Sequence, residues 1–564
     1  MRRPLSLACS TLALLALPSV TPAAADPGCN RSWPVLTYRA GPDASQPETA
    51  PLPIACGIAT GYAASETTVA VSNSGALFFS PANSENTLAR SRDRAATWSL
   101  LAPPKLQYTS LWNTVDPEVV VDRQTGRVFW VHTTYTEDLR SPLPDQTAAA
   151  WLAPTAIANA HGFQVYSTGD DGGSWTTADY QHENTTDWEK IFLGPPPPPS
   201  TGAAQPVRYP NVVYVCANAP QEVIGPGRAC YKSLDGGVTF TATGYEFPSA
   251  SAPSGCPALA ANGGVVGTDG TVYIPQSCNG GTYLAVSHDE AATYAWLPVT
   301  GAPPASGLGA VVQLAIDQAN NLYLLWTTGD ALRLVSSRDG GRSWSAPLTV
   351  SPPGLHTITL PGLAAGPRAA VGIVYYASSN PSAKMLSGYI SQTADALAPR
   401  PLFSAGEIND PAHPIFQNYG NAYSPRADFV GGAYDADGGF WGGIVGQLGP
   451  PDTSNAIPTT GYVGHLALAP AASGTNGPGR SSAPIAVCRS RRNLTIVLPR
   501  PRHARITTAS VFVDGVPLVR IHGHRVRRVV IPARSAPSFT VTVVATTSKR
   551  GRRVIVRRYH GCAR

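Results

Sequence analysis

The chain has 564 residues, among them 54 Gly and 54 Pro, with 43% hydrophobic and only 13% charged residues and a formal net charge of +6. That length exceeds what one small core organises, and the hydrophobic share excludes wholesale disorder. Scarce charge with abundant turn formers argues against an architecture of long charged helices.

At the start of the chain, Arg2 and Arg3 precede an apolar run over 5–20, and Ala23, Ala24 and Ala25 offer small residues for cleavage. This is the layout of a secretory signal peptide over 1–25. The run is too short to span a bilayer comfortably, and no later segment supplies about 18 uninterrupted apolar residues. The expectation is an exported protein without a transmembrane span, secreted or associated with the cell envelope. Once Cys9 leaves with the leader, eight cysteines remain: Cys29, Cys56, Cys216, Cys230, Cys256, Cys278, Cys488 and Cys562. An even number in an oxidising compartment reads as four disulfides. Chain neighbours close the shortest loops, which suggests 29 with 56, 216 with 230, 256 with 278 and 488 with 562. Residues 26–56 are expected as a disulfide-bearing extension ahead of the first folded unit.

A motif then recurs, Ser/Thr-x-Asp-x-Gly-x-Ser/Thr-aromatic. It occurs at Thr168 to Trp175 around Asp170, at Ser233 to Phe240 around Asp235, and at Ser337 to Trp344 around Asp339. Two copies carry Ala in place of Gly, around Asp93 and Asp289, and a decayed copy lies at Thr393 and Asp395. The five clear aspartates are 77, 65, 54 and 50 residues apart. The Asp-x-Gly centre predicts a hairpin turn in which Gly supplies positive φ, the Asp accepts nearby N–H groups and the aromatic anchors the hairpin. A structural role is expected for these five aspartates. Between the turns lie strand-length runs rich in β-branched and aromatic residues, at 68–71, 119–121, 128–132, 212–215, 272–274, 311–316, 322–326 and 371–375. Units of roughly 50 to 75 residues with four short strands each are the signature of propeller blades. The spacing from 57 to 470 accommodates six blades, or seven. The five prolines within 194–202 read as an extended surface insertion.

The motif resembles the Asp-box, or BNR repeat, of the sialidase-type β-propeller superfamily, and the resemblance covers roughly residues 57–470. It implies that the boxes lie on the face opposite the ligand site. The superfamily includes exo-sialidases, other glycoside hydrolases and noncatalytic receptors, so fold alone does not settle function. Sialidase chemistry implies three convergent arginines for the sugar carboxylate, a Tyr activated by a Glu as nucleophile and an Asp as acid and base. Tyr38-Arg39-Ala40-Gly41 is the nearest approach to the Phe/Tyr-Arg-Ile-Pro element that supplies the first of those arginines, and it lacks the Ile-Pro.

Two polar clusters contain the required residue types. Asp116 and Glu118 flank Pro117 at the start of a strand, and Tyr423, Arg426 and Asp428 precede another. Asp116, Glu118, Tyr423, Arg426 and Asp428 are therefore the candidate catalytic set. The competing reading makes Asp116 a turn cap and Arg426 or Asp428 part of a salt bridge between blades. A third cluster, Asp187, Trp188, Glu189 and Lys190, suggests an Asp–Lys pair between blades. Gly-x-Ser-x-Gly, HExxH and phosphate-binding glycine loops are absent. No cofactor or metal is expected: the missing CxxC pair argues against zinc, and the Asp-rich loops at 170–171 and 435–437 offer oxygen ligands for calcium without the EF-hand pattern.

After a Gly/Ser/Pro linker at 471–483 the composition changes. Residues 484–564 hold 18 Lys or Arg and one acidic residue, Asp514, whereas the rest of the chain is net acidic. Alternating runs at 494–498, 511–513, 526–531, 539–545 and 554–556 around an Asp514-Gly515 turn predict a small β-sandwich. The sandwich is similar to the immunoglobulin-like accessory domains of secreted bacterial enzymes. Its charge fits contact with an anionic cell-wall polymer, and equally a solvated face. No sequence-specific nucleic-acid motif accompanies it. Two functions remain open: a sialidase-like protein acting on extracellular glycans, and a noncatalytic propeller that binds glycan or protein at its channel mouth, held at the envelope by the tail. A plugged mouth favours the second, three converging arginines the first.

Overall fold

The computed structural model describes residues 32–467, except 34, 51–54, 82–87, 102–115, 136–159, 182–186, 200–204, 207, 220–226, 248–250, 257–262, 306, 308–309, 368, 421–423, 425–426 and 449–458. It also describes 494–560, except 499–504, 514–515, 532–537 and 549–551. The regular elements among them are all β-strands. The chain divides into two compact units, 1–472 and 473–564.

In the first unit, four-stranded antiparallel sheets succeed one another over 68–101, 118–181, 187–247, 265–298 and 313–349. Within each sheet the first strand in sequence is innermost and the next three follow outward in order. A sixth sheet runs through His356–Ala365, Val371–Ser378, Met385–Thr393 and Leu402–Glu407, and a seventh begins with Gly431–Tyr434, Phe440–Gln447 and Thr459–Leu466. The seven innermost strands touch in cyclic order, Gly431–Tyr434 returning to Thr68–Val71, which closes a β-propeller. The N-terminal segment completes the ring. Ala55–Ala59 pairs with Thr459–Leu466 as the fourth strand of blade 7, and Val35–Arg39 pairs with Leu402–Glu407 along the outside of blade 6. Six blades thus come whole from consecutive chain and the seventh is composite, which is why the sequence spacing counted six and left seven open. The described part of 26–56 is woven into blade edges rather than preceding the propeller.

The recurring turn joins the third and fourth strands of a blade. In blades 1 to 5 both residues after the aspartate are left-handed: Arg94 and Ala95, Asp171 and Gly172, Gly236 and Gly237, Glu290 and Ala291, Gly340 and Gly341. Two successive positive φ values suit the twist of a tight hairpin. The carboxylate holds the loop from inside. At Asp289, the Ser287 hydroxyl donates to Oδ1 at 2.8 Å, the Thr293 N–H to Oδ1 at 2.9 Å and the Thr293 hydroxyl to Oδ2 at 2.6 Å. The same set recurs at Asp93, Asp170, Asp235 and Asp339. Asp395 in blade 6 keeps the Thr393 hydroxyl at 2.6 Å. Blade 7 has no such turn because its third and fourth strands come from opposite ends of the unit.

Apolar clusters fill the seams between blades, for example Phe129, Phe163, Ile191 and Val215 between blades 2 and 3, and Leu284, Val312, Leu324 and Trp326 between blades 4 and 5. Two expected disulfides are present. Cys216–Cys230 links facing residues of adjacent strands in blade 3, and Cys256–Cys278 ties a loop to blade 4. Cys56 is also disulfide-bonded, while Cys29, Cys488 and Cys562 lie outside the described residues.

The second unit has a two-stranded sheet, Leu494–Val497 with Arg528–Ile531, and a four-stranded sheet in the order Val516–His522, Ile506–Val513, Ser538–Thr547, Arg552–His560. Ile496, Val529 and Ile531 from the first join Ala509, Val511, Val541 and Val543 from the second in one buried cluster, as in a small sandwich.

Candidate functional site

The direction of the strands fixes which residues share a face. Innermost strands begin at one end of the ring, and the turns after the first and third strands lie at the other. Asp116 and Glu118 therefore sit at one mouth of the channel and the aspartate turns at the opposite face, where the Ser74 hydroxyl of blade 1 reaches the Asp171 carboxylate of blade 2.

At the mouth, blades 1, 2 and 3 enter their innermost strands through non-glycine residues with positive φ: Glu66 at 47°, Asp116 at 61° and Trp188 at 56°. Successive innermost strands of a propeller diverge too far to form a ladder, so side chains lace them together. The Asp116 N–H donates to Glu66 Oε2 at 3.1 Å, the Trp188 N–H to Asp116 Oδ2 at 3.0 Å and the Ile191 N–H to Glu118 Oε2 at 2.7 Å. Each carboxylate serves the next blade. Such strained conformers persist only where surrounding contacts over-determine them.

The mouth is also filled. Asp116 is 1% exposed, Trp188 and Lys190 3% each and Phe429 6%. The Lys190 ammonium, from blade 3, lies 3.6 Å from the ring centre of Phe429, which precedes blade 7 across the channel, and 5.4 Å from that of Trp188. Neither Lys190 Nζ nor Asp116 Oδ1 has a hydrogen-bond partner among the described residues. Burial pushes the partly buried Glu118 carboxyl up, opposed by Lys190, by the Ile191 N–H and by Arg228. Behind this layer, Arg228 and Glu246 form an ion pair at 3.3 Å with both side chains fully buried. Burial raises the Glu246 carboxyl to about 8 against the pull of Arg228.

Of the candidate set, Asp116 and Glu118 come together with Glu66, Trp188 and Lys190, and Asp428 is half-buried beside Phe429. Tyr423 and Arg426 lie outside the described residues. Among the described residues no three arginines converge at this mouth. Arg39 is on the outer edge of blade 6, paired with Glu48 at 3.2 Å. Arg208 lies at the other face, beside Tyr209, which bonds Asp122 in the first turn of blade 2. In the third cluster Lys190 faces aromatic rings and Glu118, while the side chain of Asp187 lies outside the described ones. Sequence reasoning missed Glu66 and the Arg228–Glu246 pair. Aligning the starts of blades 1 to 3 would have set Glu66, Asp116 and Trp188 in one column, whereas nothing local marks residues 228 and 246 as partners.

A second concavity of about 670 Å³ opens at the rim between blades 4 and 5. Pro303 and Pro347 wall it with Trp326, Thr328 and Arg333, and Pro42 of the N-terminal segment accepts a 2.6 Å hydrogen bond on its carbonyl from Arg333 Nη1. Among the described residues no group of three or more His, Cys, Asp or Glu side chains is placed to hold a metal ion, and no helix is long and apolar enough to cross a membrane.

No protein-family model and no curated protein sequence matches the chain. Among solved structures it is similar to a Hadza microbial sialidase, at 13% identity over 67% of this chain and 90% of the other, with a TM-score of 0.37. It is also similar to a sialidase of Streptococcus pneumoniae, at 8% identity over 77% and 94% with a TM-score of 0.39. A third is virginiamycin B lyase of Staphylococcus aureus, at 12% identity over 73% and 99% with a TM-score of 0.38. At these values the superpositions carry no argument about what the chain does.

Proposed function

We propose that the protein is an exported propeller that binds an extracellular glycan without hydrolysing it. The observation that carries this reading is the filled mouth: Asp116, Trp188, Lys190 and Phe429 occupy the place where a sialidase-like site would open, and the Asp116 carboxylate is committed to the Trp188 N–H. Export is supported by the leader-like segment 1–25 and by two disulfides. In this reading the aspartate turns are Asp-boxes used as scaffolding, and the second unit is an immunoglobulin-like accessory domain. The ligand goes to the rim cleft, whose volume lies in the range of small-ligand sites. Its proline and tryptophan walls suit the apolar face of a sugar, and Thr328 and Arg333 supply polar contacts.

The rival reading, sialidase-like hydrolysis by Asp116, Glu118, Tyr423, Arg426 and Asp428, draws on one observation. Glu118 is a carboxyl raised by burial beside a lysine, the state a general acid needs. Calorimetry with oligosaccharides and assay with a fluorogenic sialoside separate the two. Binding without turnover, weakened at least tenfold in Arg333→Ala, is expected. Turnover that Glu118→Gln abolishes and Arg333→Ala leaves intact would replace the binding reading with the hydrolytic one.

A further inference from the structure

We propose that the exposed cations gathered at Arg505 and along 522–528 form a docking surface for a linear anionic polysaccharide, separate from anything the propeller binds. Backbone bonds assemble the patch. The Gly523 N–H donates to the Thr507 carbonyl at 3.0 Å, the Val526 N–H to Ile506 at 2.8 Å and the Ser548 N–H to Arg505 at 2.7 Å. These lay the segment 522–528 along the start of the strand Ile506–Val513. Arg505, Arg525, Arg527 and Arg528 are exposed there, together with His522 and His524.

No described residue of this unit neutralises them. The one acidic residue of 484–564 is Asp514, and among the described residues none of these arginines is in an ion pair or donates a side-chain hydrogen bond. Like charges held this close repel, so the arrangement gains most when an anionic polymer releases its counterions onto it. Guanidinium forks suit carboxylate or phosphate groups in particular.

The neighbouring surface decides the class of polymer. Arg528 pairs with Val497 and Val530 with Thr495 across the two-stranded sheet. Val497 is 67% and Val530 47% exposed, so an uncovered aliphatic strip continues from the arginines. A single-stranded nucleic acid would stack its bases on aromatic rings, and the patch and the strip beside it, residues 495–498, 505–507 and 521–531, contain no Phe, Tyr or Trp. The C–H faces of sugar rings fit the aliphatic strip.

The test uses the full mature chain and immobilised polygalacturonate, with neutral dextran and single-stranded DNA as comparisons, over a series of salt concentrations. Binding to polygalacturonate that weakens with salt is expected. Arg525→Ala/Arg527→Ala/Arg528→Ala should lower affinity at least tenfold and reduce the log–log salt slope by about two, while the charge-matched Arg338→Ala/Arg342→Ala/Arg400→Ala on the propeller leaves both unchanged. The single reversal Arg525→Glu, checked for folding by circular dichroism, should lower affinity in the same direction. Equal retention on dextran, tighter binding to DNA than to polygalacturonate at the same ionic strength, or wild-type affinity in both patch variants would overturn the proposal.

Discussion

On the face of the aspartate turns, carboxylates stand at the surface and are surrounded by donors; at the channel mouth they are buried and have fewer. The Ser174 N–H and the Thr168 and Ser174 hydroxyls hold Asp170 down to about 2, and the Ser343 hydroxyl and N–H do the same for Asp339. Burial instead raises Glu118 and carries Glu246 to about 8. The residue type is shared, and the balance of donors against desolvation sets the direction. One face is therefore built to keep its charge, and the layer behind the mouth to resist it.

The contrast can be broken most forcefully at Arg228. Replacing it with Met strands the Glu246 carboxylate in a fully buried site and, above about pH 8 where that group is ionised beside Arg228, should cost about 3–5 kcal/mol of unfolding free energy. The double variant Arg228→Met/Glu246→Leu should recover most of that, because an apolar pair leaves no charge to solvate. Urea denaturation of the three proteins is the measurement, and an unchanged midpoint for Arg228→Met would mean that the pair is not buried as described.

A pH series tests the opposite signs directly. Glu246 has a folded value near 8 against 4.5 for the free side chain, so the folded state holds the proton more tightly. Its contribution is complete below about pH 4.5 and is lost as pH rises through 8, up to roughly 5 kcal/mol. Glu246→Gln should remove this downward slope between pH 5 and 8. Asp170 and Asp339 have the reverse sign: their contribution is present above about pH 4 and disappears as pH falls through about 2. Melting temperatures of wild type and Asp339→Asn across pH 2–5 should converge at the acid end.

Within one turn the effect is smaller. Asp289→Ala removes the acceptor for the Ser287 hydroxyl and for the Thr293 N–H and hydroxyl, and should cost about 1–2 kcal/mol. A fold-wide collapse from this single change would show that the turns nucleate the ring rather than merely closing hairpins.

The turns were legible because their chemistry is local: Ser287, Asp289 and Thr293 lie within seven residues, and the carboxylate's partners are its neighbours in sequence. The strands were legible for the same reason, since alternation and β-branching act over a few residues. Blade 7 was harder to count because Ala55–Ala59 and Thr459–Leu466 become neighbours only when the ring closes. The mouth was partly legible. Asp116 and Glu118 announced themselves as paired carboxylates, but their partners, Trp188 and Ile191, are more than seventy residues away. What the sequence could not convey is that Phe429 would lie against Lys190 across the channel, turning a polar opening into a filled one.

The finest test compares the turns with each other. Ala95 and Ala291 both have φ +64°, the position where Gly172, Gly237 and Gly341 stand in sister blades. A left-handed alanine costs roughly 1–2 kcal/mol, while deleting its buried methyl forfeits about 0.8 kcal/mol of burial. Ala291→Gly should therefore be neutral or stabilising by up to about 1 kcal/mol. The converse is not symmetrical, because the glycine turns have packed against the missing carbon: a Cβ at Gly341 would lie 2.6 Å from Leu284 Cδ2, and one at Gly172 2.5 Å from Leu101 Cδ1. Gly341→Ala carries both the backbone cost and this overlap, so it should destabilise by more than Ala291→Gly can gain. Equal and opposite shifts in melting temperature would mean that backbone conformation alone, without the neighbouring blade, decides which residue each turn accepts.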